Sequence, residues 1–140
     1  MIPVLDQLEL ALPDIKDYCE IQIKKNPNKD STILELEPIN EYGQENIFIL
    51  AYDNHITLSY DYYERRFDFN DKGPENAMAK VFDIVEKIIT EQLISLTTYS
   101  ADINLSKVSD LYEPSKAKKI RRRKNFRARS WLGTYDDDCT

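Results

Sequence analysis

His55 is the chain's single histidine, and Cys19 and Cys139 are its two thiols. Any Ser/His/Asp or Cys/His nucleophile–base arrangement therefore has to recruit His55. Cys19 falls on the inward side of a predicted strand, where an inert buried thiol is expected. His55 sits beside a predicted hairpin turn and reads as a surface residue. One histidine excludes a His-rich metal site or an HExxH helix, and two cysteines alone make neither a zinc site nor a disulfide framework. Gly43, Gly73 and Gly133 stand far apart, so neither a phosphate-binding loop nor a dinucleotide fingerprint can be written. The inventory predicts no catalytic residue, no metal and no cofactor: the chain is not expected to be an enzyme.

Carboxylates are abundant, 25 in 140 residues. Glu35/Glu37 and Asp61/Glu64 have the spacing of acid–base pairs, but such pairs arise by chance in so acidic a chain. Interleaved with tyrosine they point to recognition. Tyr52, Asp53, Asp61, Tyr63 and Glu64 combine rigid aromatic area with negative charge, a composition suited to a protein partner with a basic surface. These five are the expected partner-binding residues.

Charge is segregated. Residues 1–114 carry 10 Lys and Arg against 22 Asp and Glu, a balance of −12; residues 115–130 carry nine cations and no acid; Asp136, Asp137 and Asp138 follow, and the whole chain stands at −6. An acidic body disfavours direct nucleic-acid binding, which needs a positive footprint. The basic run Lys116–Arg129 is expected to dock on the acidic body; its alternative use is as the arm of a nucleic-acid-associated adaptor. No stretch approaches the roughly 18 apolar residues of a membrane helix. The first 15 residues hold no Lys or Arg and include Asp6, Glu9 and Asp14, unlike a secretory signal. The expected location is the cytoplasm.

The elements that must position these groups follow from periodicity. Leu5, Leu8 and Leu12 have helical spacing before Pro13. Tyr18–Lys25 alternates, with Cys19, Ile21 and Ile23 on one side, and Asn26-Pro27-Asn28-Lys29-Asp30 supplies turn chemistry. Thr32–Glu37 alternates again, Leu34 and Leu36 facing opposite to Ile33, Glu35 and Glu37. Asn46–Tyr52 and His55–Tyr63 flank Asp53-Asn54 as a hairpin. That register pairs Phe48 with Ser59 and Leu50 with Thr57. It puts Ile47, Ile49, Ala51, Ile56, Leu58 and Tyr60 on one core face, and Phe48, Leu50, Tyr52, Asp61 and Tyr63 on the other. Gly73-Pro74-Glu75 opens a helix of roughly six turns, with Met78, Val81, Phe82, Val85, Ile88, Ile89, Gln92 and Leu96 on its apolar stripe. Ala101–Pro114 reads as loop. Trp131 and Tyr135 predict that the segment after the basic run packs on the body.

The prediction is a single α+β domain over residues 1–140: an antiparallel sheet of four to five strands with one long amphipathic helix packed on it. Residues 1–72 form a β-rich meander, 73–98 the helix, and 99–140 a C-terminal loop, basic strand and acidic tail. This layout resembles a bacterial immunity protein of the contact-dependent growth inhibition and polymorphic-toxin systems. The closing segment Arg129-Ser130-Trp131-Leu132-Gly133-Thr134-Tyr135-Asp136 is similar to the termini of some such proteins. The resemblance implies a cytosolic inhibitor whose partner is one cognate protein toxin, often a nuclease domain, which it covers or blocks.

Overall fold

The computed structural model describes residues 4–26, 31–70, 72–99, 107–120 and 125–139. The helix α1 (Val4–Ala11) precedes five strands, β1 (Cys19–Asn26), β2 (Ser31–Pro38), β3 (Ile47–Ala51), β4 (His55–Tyr60) and β5 (Tyr63–Asp68). Each pairs antiparallel with the next, giving a sheet in the order β1-β2-β3-β4-β5. The hairpin register is the predicted one: Phe48 lies opposite Ser59 and Leu50 opposite Thr57. Ile47, Ile49, Ile56, Leu58 and Tyr60 are wholly buried and Ala51 nearly so, because the side-chain period of two sends every second residue to the same face. The turn within 27–30 lies outside the described residues.

Helix α2 (Gly73–Ile89) lies across this inner face, with Pro74 in its first turn, where the missing N–H costs nothing. Met78, Val81, Phe82, Val85, Ile88 and Ile89 are buried against the sheet together with Val4 and Leu8 of α1. The helix is shorter than its apolar spacing predicts. It ends in a Schellman closure: the Glu91 N–H donates to the Ile88 carbonyl at 3.0 Å and the Gln92 N–H to the Lys87 carbonyl at 2.8 Å. Glu91 takes the left-handed conformation (φ 58°) that glycine usually supplies at this position. Leu96, assigned by its spacing to the helix, belongs instead to β6.

A second sheet accounts for much of the remainder. Strands β6 (Ile94–Tyr99), β7 (Lys107–Tyr112), β8 (Asn125–Arg129) and β9 (Asp137–Cys139) pair antiparallel in the order β7-β6-β8-β9, and α3 (Pro114–Ile120) joins the second strand of this set to the third. The expected loop over 101–114 is thus corrected from residue 107 onward, while 101–106 lie outside the described residues, as do Arg121, Arg122, Arg123 and Lys124. One face of this sheet makes a small core of Ile94, Leu96, Phe126 and Ala128 closed by Ala117 of α3. The other carries Ser95, Thr97 and Arg129, all buried.

Trp131 is wholly buried and belongs to the first sheet's core. Its indole N–H donates to the Tyr18 carbonyl at 2.9 Å, and its ring centroid stands 6.1 Å from that of Tyr60. Gly43 permits this approach, since a Cβ there would collide with the Trp131 carbonyl oxygen and the Pro38 ring.

Candidate functional site

The five expected partner-binding residues do not share one surface. Tyr52 is half-buried on the outer face of the first sheet, its ring stacked on His55 with centroids 4.4 Å apart. Asp53, in the turn, and Glu64, on the outer face of β5, are exposed. Asp61 and Tyr63 are not on that face. Asp61 and Tyr62 form a two-residue turn between β4 and β5, with Asp61 at φ 54°, and Tyr60 pairs with Tyr63 across it. The turn resets the alternation, so Tyr63 points inward with Tyr60 and is 8% exposed.

The Asp61 side chain is 2% exposed and lies at the junction of the two sheets. It accepts from Ser95 Oγ at 3.0 Å and from Arg127 Nε at 3.2 Å. Arg127 also pairs with Glu45 through Nη2, and its guanidinium lies 5.2 Å from the centre of the Tyr62 ring. Burial, reinforced by Asp61, pushes the Glu45 carboxyl above its ordinary pKa in spite of Arg127. Arg129 donates to both carboxylate oxygens of Asp138, at 2.8 and 3.0 Å, and holds that carboxyl below the usual aspartate range. The two described arginines of the basic run are therefore consumed by intramolecular ion pairs. Arg127 thus docks on the acidic body as expected, whereas Arg129 pairs with the acidic tail and Lys116, Lys118 and Lys119 on α3 are exposed.

His55 Nδ1 lies 2.6 Å from Asn54 Oδ1, and burial, together with the Arg66 guanidinium, lowers its pKa. Cys19 is on the opposite face of the sheet; its Sγ donates to the Ile15 carbonyl at 3.2 Å and burial pushes its pKa up to about 12. The single histidine and the buried thiol thus do not meet. Among the described residues no group of three or more His, Cys, Asp or Glu is placed to hold a metal, and no helix is long and apolar enough to cross a membrane.

The feature that remains is the outer face of the first sheet, away from the inner face on which α1 and α2 pack. The strand registers align its side chains in rows. One runs Gln22, Glu35, Phe48, Ser59, Glu64; the next runs Lys24, Ile33, Leu50, Thr57, Arg66. Ile33, Phe48, Leu50 and Tyr52 are half-buried at the centre, and Glu20, Glu37, Asp53, Glu64 and Asp68 are exposed around them. Lys24 is 3.3 Å from Glu35 and Arg66 is 2.7 Å from Asp68. Glu20, Glu37, Asp53 and Glu64 have no ion pair among the described residues. The face therefore has an apolar centre and an acidic border on which Asp68 is paired with Arg66, while Glu20, Glu37, Asp53 and Glu64 carry no counter-charge among the described residues. Sequence reasoning found Phe48, Leu50 and Tyr52 but missed that Ile33 lies beside Leu50. The alternation of β2 sends Ile33 to the side away from Leu34 and Leu36, but alternation alone leaves open which residue of β3 it meets.

No protein-family model matches the chain, and no curated protein or solved structure matches it.

Proposed function

We propose that the protein is an immunity-type inhibitor that binds and neutralises a cognate toxin domain in the cytoplasm by protein–protein contact, the toxin being a basic nuclease domain. The observation that carries this reading is the open sheet face, with Ile33, Phe48, Leu50 and Tyr52 at its centre and unpaired carboxylates at its border. Complementary charge steers a basic partner to the face, and the apolar centre supplies the area whose desolvation holds it there. Consumption of Arg127 and Arg129 by Glu45, Asp61 and Asp138 supports this reading over the adaptor, which needs those cations for phosphate.

The test is co-expression with the C-terminal domain of a toxin-like protein encoded beside the gene. Growth should be restored and the two proteins should co-purify. Leu50→Lys should lower affinity by about 2 kcal/mol or more while the inhibitor remains folded. Failure to rescue growth, or a complex indifferent to Leu50→Lys, overturns the proposal.

A further inference from the structure

Two strands border the first sheet, β1 and β5. Among the described residues no further strand pairs with either, and the backbone row along such an edge is a template for another strand unless something blunts it. β5 carries its own block. Paired antiparallel with a second β5 about Arg65, it would set Arg65 against Arg65 between two Glu64–Arg66 pairs, but its apolar members Tyr63 and Phe67 are only 8% and 7% exposed and β7 already approaches this strand.

β1 is different. It pairs with β2 over all eight of its residues, from Cys19 opposite Pro38 to Asn26 opposite Ser31, so its edge is long and regular. Glu20, Gln22 and Lys24 are exposed on the outer face; Ile21 is half-buried and Ile23 is 45% exposed at the margin of the inner face. Read as Glu20-Ile21-Gln22-Ile23-Lys24, the strand is complementary to itself when reversed. We propose that two copies of this chain pair antiparallel through β1, with Gln22 opposite Gln22 of the second copy.

In that register Glu20 of each copy stands opposite Lys24 of the other, twice over, on one face. Ile21 stands opposite Ile23, twice over, on the other face. Opposite charges and apolar pairs directly across an antiparallel ladder are the favourable combinations. A shift of two residues either way loses both Glu20–Lys24 pairs, and a shift of one sets the outer face of one copy against the inner face of the other. Lys24 keeps its own-chain neighbour Glu35 at 3.3 Å, so each ammonium would sit between two carboxylates. The contact is isologous and closes at two copies. It gives one continuous sheet with both α2 helices on the same side and both open faces on the other, and therefore leaves the apolar centre of the candidate partner face free, engaging only Glu20 of its border.

The test uses the full chain in sedimentation velocity from micromolar to millimolar concentration. Wild type should pass from monomer to dimer. Glu20→Lys alone and Lys24→Glu alone each set like charges opposite one another and should weaken dimerisation on the order of tenfold or more. Mixed in equal amounts, the two variants restore both pairs, Lys against Glu, and should dimerise with each other. A monomer throughout the range, single reversals that leave the dimer intact, or a mixture that does not associate would each overturn the proposal. Hydrogen exchange on wild type gives a second measure that needs no variant. Amides of Glu20–Lys24 should slow as concentration rises, and exchange independent of concentration refutes pairing at this edge.

Discussion

The two sheets of this molecule bury their residues by different chemistry. In the first, five consecutive strands pair neighbour to neighbour, and the buried face is apolar apart from Thr32, from Leu34 and Leu36 to Ile56 and Leu58. In the second, β6 lies between strands that come later in the chain, and both faces are covered. One is covered by the small core under α3; the other meets the first sheet's rim through Ser95 and Arg127, while Thr97 bonds Ser109 and Arg129 bonds Asp138 within the second sheet. Burial by hydrogen bond and ion pair leaves no hydrophobic trace in the sequence. It also makes the junction more sensitive to a single exchange than the rim of the open face, because removing one partner strands a charge away from water.

That contrast can be broken first at Trp131. Trp131→Ala removes a wholly buried indole and leaves the Tyr18 carbonyl without its donor. The expected loss is about 3–5 kcal/mol, with both sheets unfolding in one transition when urea denaturation is followed by circular dichroism. Two separate transitions would mean that the sheets are independent units.

Next in size is the junction. Arg127→Met leaves Glu45 and Asp61 without their shared cation, and about 2 kcal/mol of stability should be lost at neutral pH. The sign of the pH dependence follows from Glu45. Its pKa in the fold is already raised, so the folded protein takes up a proton more readily than the unfolded chain. Stability at this group falls as pH rises from the ordinary glutamate range through the raised value. Loss of Arg127 steepens that fall, so the variant should regain melting temperature on mild acidification relative to wild type. A deficit that does not change with pH would show that the guanidinium does not serve to hold the Glu45 carboxyl charged.

Asp138→Asn probes the ion pair between β8 and β9, within the second sheet. Arg129 depresses the Asp138 pKa, so the pair stabilises the fold above the ordinary aspartate range and is lost as pH falls through the depressed value. The Asp138 side chain is 54% exposed, and the expected cost at neutral pH is below about 1 kcal/mol. The difference from wild type should vanish in acid; a difference that grows there contradicts the assignment.

The smallest effect belongs to the open face. Asp53→Lys with Glu64→Lys should leave stability within about 0.5 kcal/mol of wild type, and should slow association with a basic partner. Asp61→Lys, which the sequence alone would group with them, is instead expected to destabilise strongly, since its side chain is 2% exposed against Arg127. Equal melting of the two variants would erase the distinction between rim and junction.

The first sheet was legible because every one of its pairings is local and its inner face is apolar at every second position apart from Thr32. Asp53-Asn54 fixed the hairpin, and its register followed. Tyr63 was misplaced because Asp61-Tyr62 reads as a continuing strand; neither residue announces a turn, although aspartate tolerates the positive φ found there. The end of α2 was hidden for a related reason. Glu91 fills a position where glycine is the usual signal, and Leu96 happens to continue the helical spacing into β6. Of the second sheet only β8 left a trace, Phe126 and Ala128 buried in alternation with arginines. For the candidate site, the apolar centre could be read from the hairpin, while the separation of Asp61 from Asp53 and Glu64 required knowing where Arg127 returns.

Trp131 is translated after every other member of the core it completes. On the ribosome, the five-strand meander and α2 are made and free to pair before the indole that seals their packing exists. Until then the cleft beside Tyr60 is open to water. The bond from Trp131 to the Tyr18 carbonyl joins a late part of this core to an early one. A polypeptide cut short before residue 131 therefore has strands able to zip but a core that stays ajar, the kind of species that proteases clear. The indole makes the durability of the first sheet depend on translation having passed residue 131.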